Sequence, residues 1–275
     1  MNSNSSQRPK ISLVISDVDG TLINEDKVLT ARTKAAVAKL RQADVLFTVT
    51  SARPPFGMKM IIETLQIQNP FGAFNGGLLL KPDFSVLGCT PLATEMLPEV
   101  IATIEDFDLD VWLCSNHHWY LKDPQGVHVD HHAQTLNFEP TVIDSYQDLE
   151  EKIIKIVGVG KDAEQVAQCE TATQSKFANR LSATRSQPYY LDVTQPDANK
   201  GVVVTKLADY LSIPTAEILT IGDNYNDIAM FEQSGTSIAM GNASPEVQKK
   251  ATYITTSNQD EGFAKAIEKF VLDGL

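Results

Sequence analysis

The chain has 275 residues, of which 43% are apolar and 21% charged, with a formal net charge of −12. That length suits one large or two ordinary domains, and that composition excludes a disordered chain. The negative balance argues against broad binding to nucleic acid or to an anionic membrane, but not against a small anionic substrate met by one local lysine and a metal.

Residues Met1 to Lys10 are polar and lack the apolar core of a signal peptide. No run reaches the roughly 18 apolar residues of a membrane span. The cysteines are Cys89, Cys114 and Cys169, an odd and scattered set without a Cys-x-x-Cys pair. Such usage predicts reduced thiols and a cytoplasmic location. Oligomeric state is not legible.

The apolar run Ile11 to Ile15 predicts a short buried strand. It stops at Asp17 and Asp19, which are followed by Gly20-Thr21. Alternate residues of a strand point the same way, so both carboxylates are expected to face one site if the extended form continues. Two close carboxylates want a cation or a shared proton. Mg²⁺ suits them, since it prefers oxygen ligands and is often held by one or two carboxylates plus substrate phosphate. A lone pair of this kind also fits a plain acidic turn. An EF-hand does not fit, because the fifth and sixth positions counted from Asp17 are Thr21 and Leu22.

Thr30 then predicts an N-cap for a helix to about Gln42, with Val37 and Leu40 facing inward and Asp44 just past its end. Val45 to Val49 predicts a second buried strand, ending in Thr50-Ser51-Ala52-Arg53-Pro54. A helix from about Gly57 to Leu65 follows, then a strand near Phe71 to Phe74 and the triplet Asn75-Gly76-Gly77. Near-continuous apolar strands alternating with helices are the mark of a parallel sheet covered on both faces.

The pattern changes after about Gly88. Val100, Ile104 and Phe107 lie at helical spacing, and Val111 to Leu113 and Trp119 to Leu121 read as paired strands. A strand over Ile153 to Val159, a helix over Asp162 to Ala172 and a strand over Phe177 to Thr184 complete an α+β insert. From Tyr189 the first pattern is expected to resume, with a helix containing Val203 and Leu207. A strand Ile218 to Gly222 then ends in Asp223-Asn224-Tyr225-Asn226-Asp227. Short strands at Thr236 to Met240 and Tyr253 to Thr255 and a closing helix Gly262 to Val271 end the chain. The expected fold is α/β: a Rossmann-like, doubly wound parallel-sheet core, residues 1–88 and 189–275, with an inserted α+β domain, residues 89–188.

Four stations carry chemistry in this order: Asp17 with Asp19, then Ser51, then Lys200 before a helix, then Asp223 with Asp227. Three of them follow strands, where ligands bind in open α/β sheets. Together with Asn75-Gly76-Gly77, Asn199-Lys200-Gly201 and Ala239-Met240-Gly241-Asn242-Ala243, this set resembles the motifs of the haloacid dehalogenase superfamily, in its Cof-type branch with a large α/β cap. The resemblance covers nearly the whole chain after the N-terminal tail. It implies a Mg²⁺-dependent phosphatase acting on a small phosphorylated substrate, by default a sugar phosphate. In that scheme Asp17 is the nucleophile and Asp19 the general acid/base, a carboxylate that suits phosphoryl transfer rather than dehalogenation. A phosphomutase of the same branch and a non-catalytic phosphate-binding module are the alternatives; the second would predict loss of Asp17, Asp19 or Lys200.

Each role has a physical reason. A carboxylate such as Asp17 can attack phosphorus, and one such as Asp19 can move a proton. Ser51 and Ala52 offer a hydroxyl and backbone N–H groups to phosphate oxygens, and Asn226 a side-chain amide. Lys200 puts a point charge beside a helix N-terminus. The metal set is expected to be Asp17, Asp19 and Asp223, with Asp227, Thr21 and Arg53 in support. Ala52 and Asp44 depart from the family's usual glycines, which puts backbone geometry in question. The five histidines, His117, His118, His128, His131 and His132, lie in the insert, with no helix pattern to align them as a zinc site. Trp112, Trp119 and Tyr120 read as cap core.

Overall fold

The computed structural model describes residues 10–147 and 149–273. The polar stretch before Lys10 lies outside the described residues. Strand β1 (Leu13–Ser16) is buried at every position. Helix α1 (Ala31–Gln42) starts where expected: the Thr30 side chain accepts a hydrogen bond from the Thr33 N–H, satisfying one donor that the helix start leaves open. Past its end Asp44 has φ of 56°, the left-handed form that a short polar residue tolerates. Strand β2 (Leu46–Val49) and helix α2 (Lys59–Thr64) follow. Strands β3 (Phe71–Ala73), β4 (Leu78–Leu80) and β5 (Val86–Cys89) form a separate antiparallel sheet. It touches the end of β2 through one parallel bridge, Thr50 with Gly72.

The insert contains α3 (Leu97–Glu105), β6 (Asp110–Cys114), β7 (Trp119–Leu121), α4 (Val129–Leu136) and β8 (Thr141–Val142). It continues with β9 (Lys155–Val159), α5 (Ala163–Phe177), β10 (Ser182–Gln187) and β11 (Tyr190–Thr194). Its six strands lie in the order β10-β11-β9-β6-β7-β8. Three expectations are corrected here. The return to the first pattern does not fall near Pro188, because β11 pairs antiparallel with both β10 and β9 and so sits inside the insert's sheet. Phe177 ends a helix rather than opening a strand: Val166, Cys169, Thr173 and Phe177, all buried, make one helical face. And α4, unmarked by any apolar pattern longer than Val129 and Ala133, carries His131 and His132.

The chain then forms α6 (Lys200–Leu211), β12 (Ile218–Gly222), α7 (Ile228–Gln233), β13 (Thr236–Ala239), α8 (Pro245–Gln248), β14 (Tyr253–Ile254) and α9 (Gly262–Ile267). The main sheet has five strands in the order β14-β13-β12-β1-β2, all parallel. Strand β1 therefore lies between β12 and β2, and the chain leaves all three strands at one edge of the sheet. The two faces of the insert's sheet follow the period-two rule. Val111, Leu113, Ile156, Leu191 and Val193 share a cluster with Val100, Ile104 and Val166 of α3 and α5. Trp112, Cys114, Trp119, Val157, Val159 and Tyr190 join the cluster that includes Phe56, Phe74 and the apolar residues of the main sheet. The second face thus packs toward the parallel sheet.

Candidate active site

Asp17 continues β1 by one residue, its N–H bonding the Ile221 carbonyl of β12. The chain then turns, with the Val18 carbonyl accepting from both Leu22 and Ile23 N–H groups. That turn ends the extended form, so the Asp17 and Asp19 side chains part company. Asp17 is 4% exposed. Its Oδ1 accepts from Lys200 Nζ at 2.5 Å, across 183 residues of sequence. Lys200 Nζ also donates to Asp227 Oδ1 at 2.6 Å.

Lys200 is 1% exposed and is the first residue of α6, whose N-cap is Asn199. A helix N-terminus carries partial positive charge and disfavours a cation, and burial disfavours it further. The two carboxylates offset both costs: burial pulls the ammonium down, and the charges of Asp17 and Asp227 more than restore it, leaving it above its ordinary range. Asp227 is held from the other side, its Oδ2 accepting from the N–H groups of Asp223 (2.8 Å) and Asn224 (2.9 Å). Gly222 gives it room, since a Cβ there would stand 2.4 Å from the Asp227 Cγ.

Asp223 completes the group. Oxygens of Asp17, Asp223 and Asp227 all lie within 4.8 Å of one another. Thr21 Oγ1 donates to Asp223 Oδ1 at 2.9 Å, and Asn242 Nδ2 reaches both the Gly20 carbonyl (2.9 Å) and Asp223 Oδ2 (3.3 Å). Gly20 has φ of 80°, and a Cβ there would come within 2.3 Å of Asp223 Oδ2. Only glycine fits that turn, for conformation and for space. Burial pushes Asp17 well up, against the pull of Lys200, with Asp227 and Asp223 adding to the rise. Burial and the Asp227 charge raise Asp223 to about 6, against the Thr21 hydrogen bond. One ammonium among three carboxylates leaves a formal excess of negative charge, held by hard oxygen donors. That donor set fits a small divalent cation such as Mg²⁺.

Asp19 was expected to complete this metal set with Asp17 and Asp223. Its carboxylate is instead gripped by Arg53, Nε to Oδ2 at 2.7 Å and Nη2 to Oδ1 at 2.8 Å, and by Lys27 Nζ at 2.9 Å. Asp227 takes the third place in the acidic group. Burial raises Asp19, but the two Arg53 bonds and charge, with Lys27 behind them, outweigh it and hold the carboxyl at about 2. Lys27 lies in the loop between β1 and α1. No spacing marks it, because its contact depends on how the turn after β1 folds back.

Ser51 is buried at the end of β2, and its Oγ accepts the Arg53 N–H at 3.1 Å. Its own N–H bonds the Gly72 carbonyl, which leaves the hydroxyl proton rather than that N–H for a ligand. Ala52 has no positive φ, so the absent glycine costs this turn nothing. Asn75 N–H bonds the Ser51 carbonyl, and Asn75 Oδ1 accepts from Asn226 Nδ2 at 2.9 Å. Phe74, Asn75 and Gly76 have φ of 50°, 55° and 95°, three left-handed residues in a row. That strained path aims Asn75 at Asn226. The structure so gathers Asp17, Thr21, Lys200, Asp223 and Asp227 in one hydrogen-bonded group. Asp19 and Arg53 stand beside it, and Ser51, Ala52 and Asn226 line the flank toward Asn75. The five histidines stay in the insert; His128, His131 and His132 do share one helix and its start, against the expectation, but His132 packs on Trp112 and Trp119.

Known proteins resemble this chain over most of its length. The haloacid dehalogenase-like hydrolase family model matches residues 14–267. A 5-amino-6-(5-phospho-D-ribitylamino)uracil phosphatase of Bacillus subtilis is 29% identical over 280 aligned residues, 93% of this chain and 96% of that protein. A second phosphatase of that description from the same organism is 24% identical, over 95% of this chain and 96% of its own length. The crystal structure of a haloacid dehalogenase-like hydrolase from Bacteroides thetaiotaomicron superposes with a TM-score of 0.87 at 24% identity, covering 94% of this chain and 99% of that one.

Proposed function

This chain belongs to the haloacid dehalogenase-like hydrolases and is a phosphatase, and we propose that it hydrolyses a small phosphorylated metabolite through an aspartyl-phosphate on Asp17, with Mg²⁺, in the cytoplasm. The observation that carries the proposal is the buried contact of Lys200 with Asp17 inside a group of three carboxylates. There the ammonium of Lys200 offers a positive group to an anionic ligand, and the surplus carboxylate oxygens offer donors to a cation.

Asp17, Asp223 and Asp227 present the oxygens that would hold the cation. When bound, Mg²⁺ supplies positive charge that keeps Asp17 ionised and offsets charge gathering on the phosphoryl oxygens. Asp17 forms its bond to phosphorus as the ester P–O bond breaks. Asp19 gives a proton to the departing alkoxide, then takes one from the water that attacks the aspartyl-phosphate, which releases phosphate and restores Asp17. An acid held near 2 is ionised at neutral pH, so Arg53 and Lys27 must loosen their grip before Asp19 can donate. Lys200, the Ser51 hydroxyl, the Ala52 backbone and the Asn226 side chain neutralise and orient the phosphate. The insert acts as the cap, closing over the site and selecting the leaving group.

Released phosphate from a panel of phosphorylated metabolites tests this. Activity is expected with Mg²⁺, lost in chelator and restored on adding the ion back. Full turnover by a verifiably metal-free sample would refute the metal, and inertness toward every ester would refute the reading.

A further inference from the structure

Lys155 and Asp192 lie on adjacent strands of the insert, on the sheet face turned toward the parallel sheet. Lys155 Nζ donates to Asp192 Oδ2 at 2.9 Å, with side chains 13% and 8% exposed. Asp192 Oδ1 and the hydroxyl of Tyr190, two residues earlier on the same face, are both buried with no hydrogen-bond partner among the described residues. Native proteins pair such atoms almost without exception, so two orphans on one face call for an explanation.

Their position supplies one. Lys155 Nζ stands 5.7 Å from the centroid of the Phe74 ring. Ile154 presses on the same loop: a Cβ on Gly77 would meet its Cγ2 at 2.6 Å. That loop, with its run of left-handed residues, is the one that hands Asn75 to Ser51 and Asn226. The polar pair therefore sits beside the loop that carries Asn75 to the site.

We propose that Lys155, Asp192 and Tyr190 form a leaving-group subsite, in which Asp192 Oδ1 accepts a hydroxyl proton while Lys155 Nζ and the Tyr190 hydroxyl donate to neighbouring oxygens. One ammonium against one carboxylate is neutral in sum. The subsite therefore favours an uncharged, hydroxylated leaving group and discriminates against one with a carboxylate or a second phosphate. The inference rests on the phosphatase reading of the core site.

The test compares kcat/KM for ribitol 5-phosphate and glucose 6-phosphate, whose leaving groups are neutral, with 6-phosphogluconate, whose leaving group is anionic, and with p-nitrophenyl phosphate as a reference lacking hydroxyls. Wild type is expected to prefer the neutral esters over the anionic one. Asp192→Asn removes the acceptor charge and leaves the lysine in excess. The ratio of neutral to anionic ester should fall by about tenfold to a hundredfold, the usual worth of a hydrogen bond to a charged group. Lys155→Met should move that ratio the opposite way. Tyr190→Phe, which leaves the ion pair in place, should lower the ratio of neutral ester to p-nitrophenyl phosphate by about three- to tenfold, with folding checked by thermal melting. A pair that only braces the fold would alter all four substrates alike. Equal ratios in all variants overturn the subsite while leaving the phosphatase reading standing; a wild type inert on every ester overturns that reading and the subsite with it.

Discussion

Two lysines divide this molecule, one buried and the other largely so. Lys200 meets two carboxylates directly, with a third within reach of them, while Lys155 meets one. Both replace water with fixed partners. The count of partners separates them: the first group keeps surplus negative charge and suits a cation, while the second is balanced and suits neutral polar groups. Composition cannot express this difference, since both are a lysine beside aspartate.

The largest way to break the comparison is to remove the group that only the first region has. Asp17→Asn should end phosphoenzyme formation and cost on the order of a millionfold in turnover, as nucleophile removal does elsewhere. A normal burst of product from an aryl phosphate by that variant would shift the nucleophile to another residue.

Asp19→Asn comes next, at about a hundred- to ten-thousand-fold on alkyl esters. An aryl phosphate, which leaves without protonation, should recover part of its first step and none of the loss in Asp17→Asn. Comparing burst and steady-state rates separates the two; equal losses on alkyl and aryl esters would remove Asp19 from the proton's path.

Lysine truncation sharpens the comparison through stability. Lys200→Met and Lys155→Met each strand a buried carboxylate, which typically costs about 3–5 kcal/mol. Mg²⁺ should recover part of the loss in Lys200→Met, where three carboxylates remain to hold it, and none in Lys155→Met. Denaturant titration with and without the ion reads both.

The smallest effect is the pH dependence of metal stabilisation. Asp223 is raised from 3.8 to about 6 in the folded protein. A raised carboxyl favours the fold below its unfolded value, and that advantage fades as pH climbs through about 6. The metal-free protein should therefore lose stability between about pH 4 and 6. The ion needs the ionised form, so its thermal shift should be several degrees at pH 8 and clearly smaller at pH 5. An equal shift at both would place the ion away from Asp223.

The sequence by itself determined the most apolar strands, the capped helix starts and the order of the chemical stations. Hydrophobic runs such as Leu13–Ser16 and Ile218–Gly222 bury on both faces wherever they pair, and Thr30 or Asn199 caps a helix by bonds within a few residues. Tyr190–Thr194 was not assignable in that way. An apolar strand carries no label for its partner, and only pairing with β9 put it in the insert. The same holds for Asp19. Its alternation with Asp17 is a local rule that lapses where the chain turns at Val18, and its fate is set by Arg53 and Lys27 across space. Lys200 lies 183 residues from Asp17. Sequence can place such residues in order, but charge, burial and distance exist only once the sheet brings them together.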